Sequence, residues 1–241
     1  MIPKVIHYCW FSGDKKSRFI KRCIKSWKKC MPDYQIKCWD ANSFDFDSVP
    51  FVKQAYDEKK WAFVADYVRL YALYTEGGVY LDSDVKTFKS FNTFLHNDFF
   101  IGTEPLPNNC VELESAIMGA IKGHPYVKEC LDYYRQINFR KENGQIIASC
   151  PMIMTLIAEK YGYVAKDESQ LLDANIQVYS RDYFGHLWGT NPGKLYAIHY
   201  FNASWLENKH GWLYRYCKEN DFMKFYLMIS KCLRKFKMKK Y

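Results

Sequence analysis

The chain has 241 residues, nearly half of them apolar, with 20 Tyr, 17 Phe and 7 Trp, which excludes a disordered or fibrous polymer and fits one domain with a full core. Its net charge of +9 is uneven: Lys15 to Lys29 holds eight Lys or Arg and no acid, Lys209 to Tyr241 holds ten against Glu219 and Asp221, and the remainder is net acidic. Nine cysteines without CxxC or metal-finger spacing read as reduced cytosolic thiols, and "MIPKVIHYCWFSG" lacks the apolar run of a secretion signal or a membrane span.

Lys4 to Cys9 reads as a first strand, and Lys15 to Cys30 as a helix with Ile20, Cys23, Ile24 and Trp27 on its apolar face. Tyr34 to Trp39 is a second strand, followed by the turn-rich "DANSFDFDSVP". Asp57 to Glu76 reads as one long helix with a buried stripe of Trp61, Val64, Ala65, Val68 and Ala72, stopped by Gly77 and Gly78. Strands are expected at Val79 to Leu81, Phe99 to Gly102 and Ala116 to Ala120, then helices near Tyr126 to Ile137 and Cys150 to Tyr161. Strands return at Ile176 to Tyr179 and Leu195 to His199. This alternation predicts an α/β layered fold on a largely parallel sheet, with ligands at the carboxyl ends of its strands. From Asp221 to Lys240, one stripe of Phe222, Phe225, Ile229, Cys232, Leu233 and Phe236 beside basic residues reads as an amphipathic helix, packed on the body or lying on a membrane.

The chain holds two D-x-D pairs. Asp45 and Asp47 lie in a polar stretch and read as a solvated Asx turn. Asp82 and Asp84, in "GGVYLDSDV", directly follow an apolar strand. Two carboxylates held so close repel unless a cation neutralises them, and Mg²⁺ or Mn²⁺ suits hard oxygen ligands completed by phosphates. A turn and a metal–diphosphate grip both fit that context. Asp66 and Arg69 stand three apart on one helical face within "WAFVADYVRLYALY". They read either as a buried salt bridge bracing the helix or as an acceptor and donor aimed at ligand hydroxyls.

"IPKVIHYCWFSG", "CIKSWKKCMPDYQIKCWD", "AFVADYVRLYALYTEGGVYLDSDV", "IKGHP" and "YAIHYFNASW" occur in the order seen in one group of sugar transferases. Over residues 2 to about 206 the chain resembles glycosyltransferase family 32, the D-x-D enzymes of bacterial capsule and lipopolysaccharide clusters, and more distantly the glucosylating domains of clostridial toxins. The constellation A-x-x-x-D-x-x-R-x-x-x-L, then GG-x-Y-x-D-x-D, carries most of the likeness.

The resemblance implies a GT-A (Rossmann-like) domain over 1–206, with 207–241 as a basic helical tail. It implies a nucleotide-diphosphate sugar donor, a UDP-sugar being favoured, a Mn²⁺ or Mg²⁺ cofactor and retaining hexosyl transfer to a capsular, lipopolysaccharide or lipid-linked glycan. By position, Asp84 would bind the metal directly, Asp82 would contact the ribose or the metal through water, and His199 would complete the metal site. Asp66 and Arg69 would hold the donor sugar, Tyr80 would sit beside the sugar or the ribose, and His7, Trp10 and Gly13 would shape the nucleotide pocket. Ser204 and Trp205 would close over the diphosphate. Where relatives often carry a TGP-like turn, this chain has Ser149-Cys150-Pro151. The expected location is cytoplasmic, at the inner face of the cell membrane where the tail docks. Two other readings are an effector-like protein glycosyltransferase and a non-enzymatic, basic nucleic-acid- or membrane-binding protein. No RNP-type, helix-turn-helix or zinc signature supports nucleic acid.

Overall fold

A computed structural model describes residues 1–106, 110–146, 148–185, 193–200 and 216–217. Ser204, Trp205 and the stripe from Asp221 to Lys240 therefore lie outside the described residues.

Strand β1 (Val5–Cys9) is followed by helix α1 (Arg18–Cys30), which starts three residues later than expected because the Ser17 hydroxyl caps it by accepting from the Ile20 N–H. Strand β2 (Gln35–Trp39) leads to a short 3₁₀ turn at Phe46–Ser48, capped by Asp45, which accepts from the Asp47 N–H. The first D-x-D is thus an Asx turn. A separate helix without a sequence expectation, α2 (Pro50–Asp57), comes first, and the long helix expected from Asp57 begins at Trp61 (α3, Trp61–Glu76), with Lys59 at φ 56° between them. Apolar spacing continues across the break through Ala55 and Trp61, which conceals it from the pattern.

At the end of α3, Gly77 and Gly78 adopt φ 70° and 116°, open only to glycine without strain. A β-carbon on Gly78 would also stand 2.7 Å from the Val5 carbonyl oxygen. The chain therefore turns flush against β1 and enters β3 (Gly78–Leu81). There follow β4 (Val85–Thr87), β5 (Phe99–Pro105), β6 (Val111–Ala120), α4 (Pro125–Arg135), α5 (Cys150–Ala158), β7 (Gln170–Leu172), β8 (Ile176–Tyr179), β9 (Phe184–Gly185) and β10 (Ala197–His199).

Among the described residues the larger sheet runs β2-β1-β3-β6-β5-β8-β7. The pairs β1/β2, β1/β3 and β5/β8 are parallel, but β3/β6, β5/β6 and β7/β8 are antiparallel. The expected largely parallel sheet is corrected to a mixed one. The cause is two strands, β6 and the edge strand β7, which run against the direction shared by β2, β1, β3, β5 and β8.

A second sheet, β4-β10-β9, lies beyond the carboxyl end of β3. One core fills the space between the larger sheet and α2 to α5, centred on Phe51, Tyr67, Tyr126 and Tyr134. Another packs the opposite face with Trp27, Phe91, Phe94, Phe100 and Phe184. The Trp27 indole donates to the Val85 carbonyl at 2.8 Å, tying α1 to β4. No helix among the described residues is long and apolar enough to cross a membrane.

Candidate active site

The second D-x-D lies where the chain passes from the larger sheet to the smaller one. The Asp82 N–H extends the β3–β6 ladder by donating to Ala116 O at 2.9 Å, and the Val85 N–H closes a tight turn onto Asp82 O at 2.9 Å. The backbone is thus a turn, but the side chains are not those of a solvated one, since Asp84 is only 6% exposed. Antiparallel pairing sets His199 of β10 opposite Val85 of β4, beside the acids. His199 Nε2 lies 3.4 Å from Asp84 Oδ1 and 3.8 Å from Asp82 Oδ2. One ligand atom from each of Asp82, Asp84 and His199 falls within 4.8 Å of the others.

Behind this group stands Arg69, 4% exposed, whose donors are all engaged. Its Nη2 faces Asp66 Oδ1 at 3.0 Å and Asp82 Oδ1 at 3.3 Å. Nη1 donates to Ser115 O and Oγ, both at 2.9 Å, and Nε to Ala65 O at 3.1 Å. The guanidinium lies over the Tyr80 ring at 4.9 Å, and the Tyr80 hydroxyl donates to Asp82 Oδ1 at 2.8 Å. The other Asp66 oxygen accepts the Cys150 N–H at 3.1 Å, at the first residue of α5. The contacts are those of the salt-bridge reading: Arg69 and Asp66 pair with each other and tie α3 to β6 and α5, and Arg69 also holds Asp82 at the end of β3.

Burial pushes the Asp66 carboxyl up to about 6, opposed by Arg69 and the Cys150 N–H. Burial likewise raises Asp82, against Arg69 and His199. Burial disfavours a charged His199, but Asp84 and Glu114 outweigh it and hold the imidazole well above its ordinary value. Four carboxyls (Asp66, Asp82, Asp84, Glu114) thus share one guanidinium and one imidazole among the described residues. That donor set of oxygens and one imidazole nitrogen, short of positive charge, fits Mn²⁺ or Mg²⁺.

His7 and Trp10 are bonded to groups other than the acids. His7 is fully buried, with Nε2 on the Gly77 carbonyl at 2.8 Å and Nδ1 accepting from the Trp39 indole at 3.1 Å. Both ring nitrogens are spent on joining β1 to its neighbours. Trp10, at the carboxyl end of β1, donates to Asp14 O at 2.9 Å and has Lys16 over its ring at 4.9 Å. Gly13 follows at φ 72° in an open turn. A cavity of about 310 Å³ between Phe44, Asp45, Tyr67, Tyr71 and Arg135 includes none of Asp66, Asp82, Asp84 and Glu114.

Sequence reasoning missed Glu114, Ser115 and Glu104. Their one signal was acids inside the apolar strands "IGTEP" and "VELESAIMGA". Pairing runs Ile101 to Met118, then Gly102 to Glu114, so β6 holds three more residues than β5 at this point. Those residues, 115–117, swing toward β3 and carry Glu114 and Ser115 into the cluster.

Burial, then the neighbouring Glu114, pushes the Glu104 carboxyl from an ordinary 4.5 up to about 8. The folded chain then binds more protons than the unfolded one between those values, so this group's stability contribution declines as pH rises through them. Glu104→Gln is therefore expected to gain stability over wild type progressively from pH 5.5 to 8.5 in urea titrations. Parallel stability curves would show Glu104 to be an ordinary surface acid.

Residues 17–100 match the family described as "Glycosyltransferase sugar-binding region containing DXD motif", a stretch that includes Asp66, Arg69, Tyr80, Asp82 and Asp84. Over 136 residues the chain is 32% identical to inositol phosphoceramide mannosyltransferase 3 of Schizosaccharomyces pombe, covering 52% of this chain and 35% of that one. The chain spans between 35% and 60% of the length of the curated relatives it matches. Among solved structures it is similar to PaToxG glycosyltransferase, with a TM-score of 0.50 and 21% identity over 66% of this chain and 69% of that one. It is also similar to the glycosyltransferase GlyE of Streptococcus pneumoniae TIGR4, with a TM-score of 0.51 and 10% identity over 98% and 64%. These likenesses establish the fold, which is the GT-A fold of glycosyltransferases.

Proposed function

We propose that this protein is a divalent-metal-dependent glycosyltransferase of family 32 that moves a hexose from a nucleoside-diphosphate sugar to a glycan, with retention at the sugar carbon. The observation that carries this reading is the convergence of Asp82, buried Asp84 and His199 beyond the carboxyl end of β3. Those three residues would hold the metal. When bound, Mn²⁺ or Mg²⁺ supplies Lewis-acid stabilisation of the charge that gathers on the departing diphosphate.

The remaining work falls to the chain's own side chains. Arg69 and the Tyr80 hydroxyl both anchor Asp82 Oδ1 before any ligand arrives, so no reorganisation is spent on gathering the acids. Asp66, clamped between Arg69 and the Cys150 N–H, presents a carboxyl edge for donor-sugar hydroxyls. Because β1 and β3 are parallel neighbours, their carboxyl ends open on the same side. On this reading Trp10 and Gly13 flank a nucleotide whose diphosphate lies at the acids. Ser204 and Trp205 close over it in this reading.

The names of the curated relatives support a mannosyl donor and a lipid-borne acceptor, since one is an inositol phosphoceramide mannosyltransferase. An acceptor of that kind fits action at the cytoplasmic face of a membrane, with the basic tail as the contact. The test is release of UDP or GDP from a panel of hexose donors with Mn²⁺, with Mg²⁺ and with EDTA. One donor turned over only with metal is the expected result. Turnover that survives EDTA, or no binding of any donor with or without metal, would sink the reading.

A further inference from the structure

A carboxylate at 3% exposure within a strand is costly unless something needs it there. Glu114 is such a group. Its Oε1 accepts the Ala116 N–H at 2.9 Å and lies 3.3 Å from His199 Nδ1. The other ring nitrogen, Nε2, faces Asp84 and Asp82. The imidazole is thus held between one acid at its back and two at its front.

Building on the metal site proposed above, we infer that Glu114 is a positioning residue that fixes the tautomer and orientation of His199. An ionised carboxylate accepts hydrogen bonds only. Placed at Nδ1, it would keep the proton on that nitrogen, so that the proton a metal displaces is the one on Nε2, leaving the tautomer an imidazole needs to ligate a metal.

Glu114 is itself held rigidly. Ala116 gives its N–H to Glu114 and its carbonyl to the Asp82 N–H. One residue of the extra β6 segment therefore sets both the carboxylate behind the histidine and the start of the D-x-D turn. With ordinary pairing between β5 and β6, Glu114 would lie elsewhere along the strand.

A purely structural ion pair between Glu114 and His199 is the competing account, and metal affinity separates the two. Mn²⁺ binding to the full chain would be followed by the EPR signal of free Mn²⁺. The proteins compared are wild type, Asp84→Ala, Glu114→Gln, His199→Ala and the double variant of the last two. Circular dichroism would check that each is folded. Glu114→Asp, which keeps the charge but shortens its reach, is the second variant should Glu114→Gln not fold.

Glu114→Gln is expected to weaken Mn²⁺ binding by about 10- to 100-fold, and to have no further effect once His199 is alanine. The same loss in both backgrounds, or no loss in either, overturns the inference while leaving the metal site intact. Mn²⁺ affinity unchanged in Asp84→Ala overturns the metal site and the inference with it.

Discussion

Asp84→Ala is expected to lose Mn²⁺ binding and to cut donor turnover by about a thousandfold, the several kcal/mol that a Lewis acid supplies at a departing phosphate. The size follows from where Asp84 sits. It is buried, it faces His199 Nε2, and it occupies a turn whose backbone is pinned to β6 through Asp82. No described acid outside the cluster is placed to substitute for it. The fold should survive, because removing one carboxyl from four that share a single guanidinium and an imidazole relieves repulsion in the metal-free protein. In EDTA, the melting temperature of Asp84→Ala should therefore equal or exceed that of wild type.

Asp47→Ala in the other D-x-D is the control. Asp47 is exposed and pairs with Lys53 at 2.9 Å, a solvent-screened surface contact of little weight. Its turnover should match wild type. Turnover of Asp84→Ala within tenfold of wild type would return "GGVYLDSDV" to being only a turn.

Arg69→Met should be the most destabilising single change at the site, by about 3–5 kcal/mol, the usual cost of stripping one partner from a buried ion pair. Methionine fills much of the stem's volume, so packing changes little. What is lost is every anchor between α3, Asp82 and Ser115, and two buried carboxyls are left without their cation. Adding Asp66→Asn to Arg69→Met should recover part of the stability, since one of the stranded charges is removed. Arg69→Lys should not rescue, because an ammonium cannot reach Asp66, Asp82 and Ser115 together as the planar fork does. Urea denaturation measures all of these. A loss below about 1 kcal/mol for Arg69→Met, the range of an exposed pair, would show that the guanidinium is not the brace described.

Several elements were legible because their signals are local. The stripe of Val64, Val68 and Ala72, the stop at Gly77 and Gly78, and a short strand ending in two acids need only neighbouring residues to be read. The break at Lys59 was not legible, because the apolar spacing runs through it and only a left-handed backbone marks it. The mixed polarity of the sheet was equally hidden, since β6 reads the same whichever way it lies beside β3. His7 reads as a polar residue at a strand end, yet its partners are Trp39 and the Gly77 carbonyl, far apart along the chain.

By itself, then, the sequence determined which acids follow β3, which helix precedes them and that Asp66 and Arg69 share a face. Only the tertiary structure decided that Asp84 and Asp66 are buried and Asp82 half-buried rather than solvated, and that Arg69 spans two of them. It also decided that His199 arrives beside Asp84 by pairing with β4, and that three extra residues in β6 bring Glu114 behind it. The reason is physical. A side chain's charge and a helix's period are properties of adjacent residues, whereas the desolvation of a carboxylate and the partner that offsets it depend on strand register between distant segments.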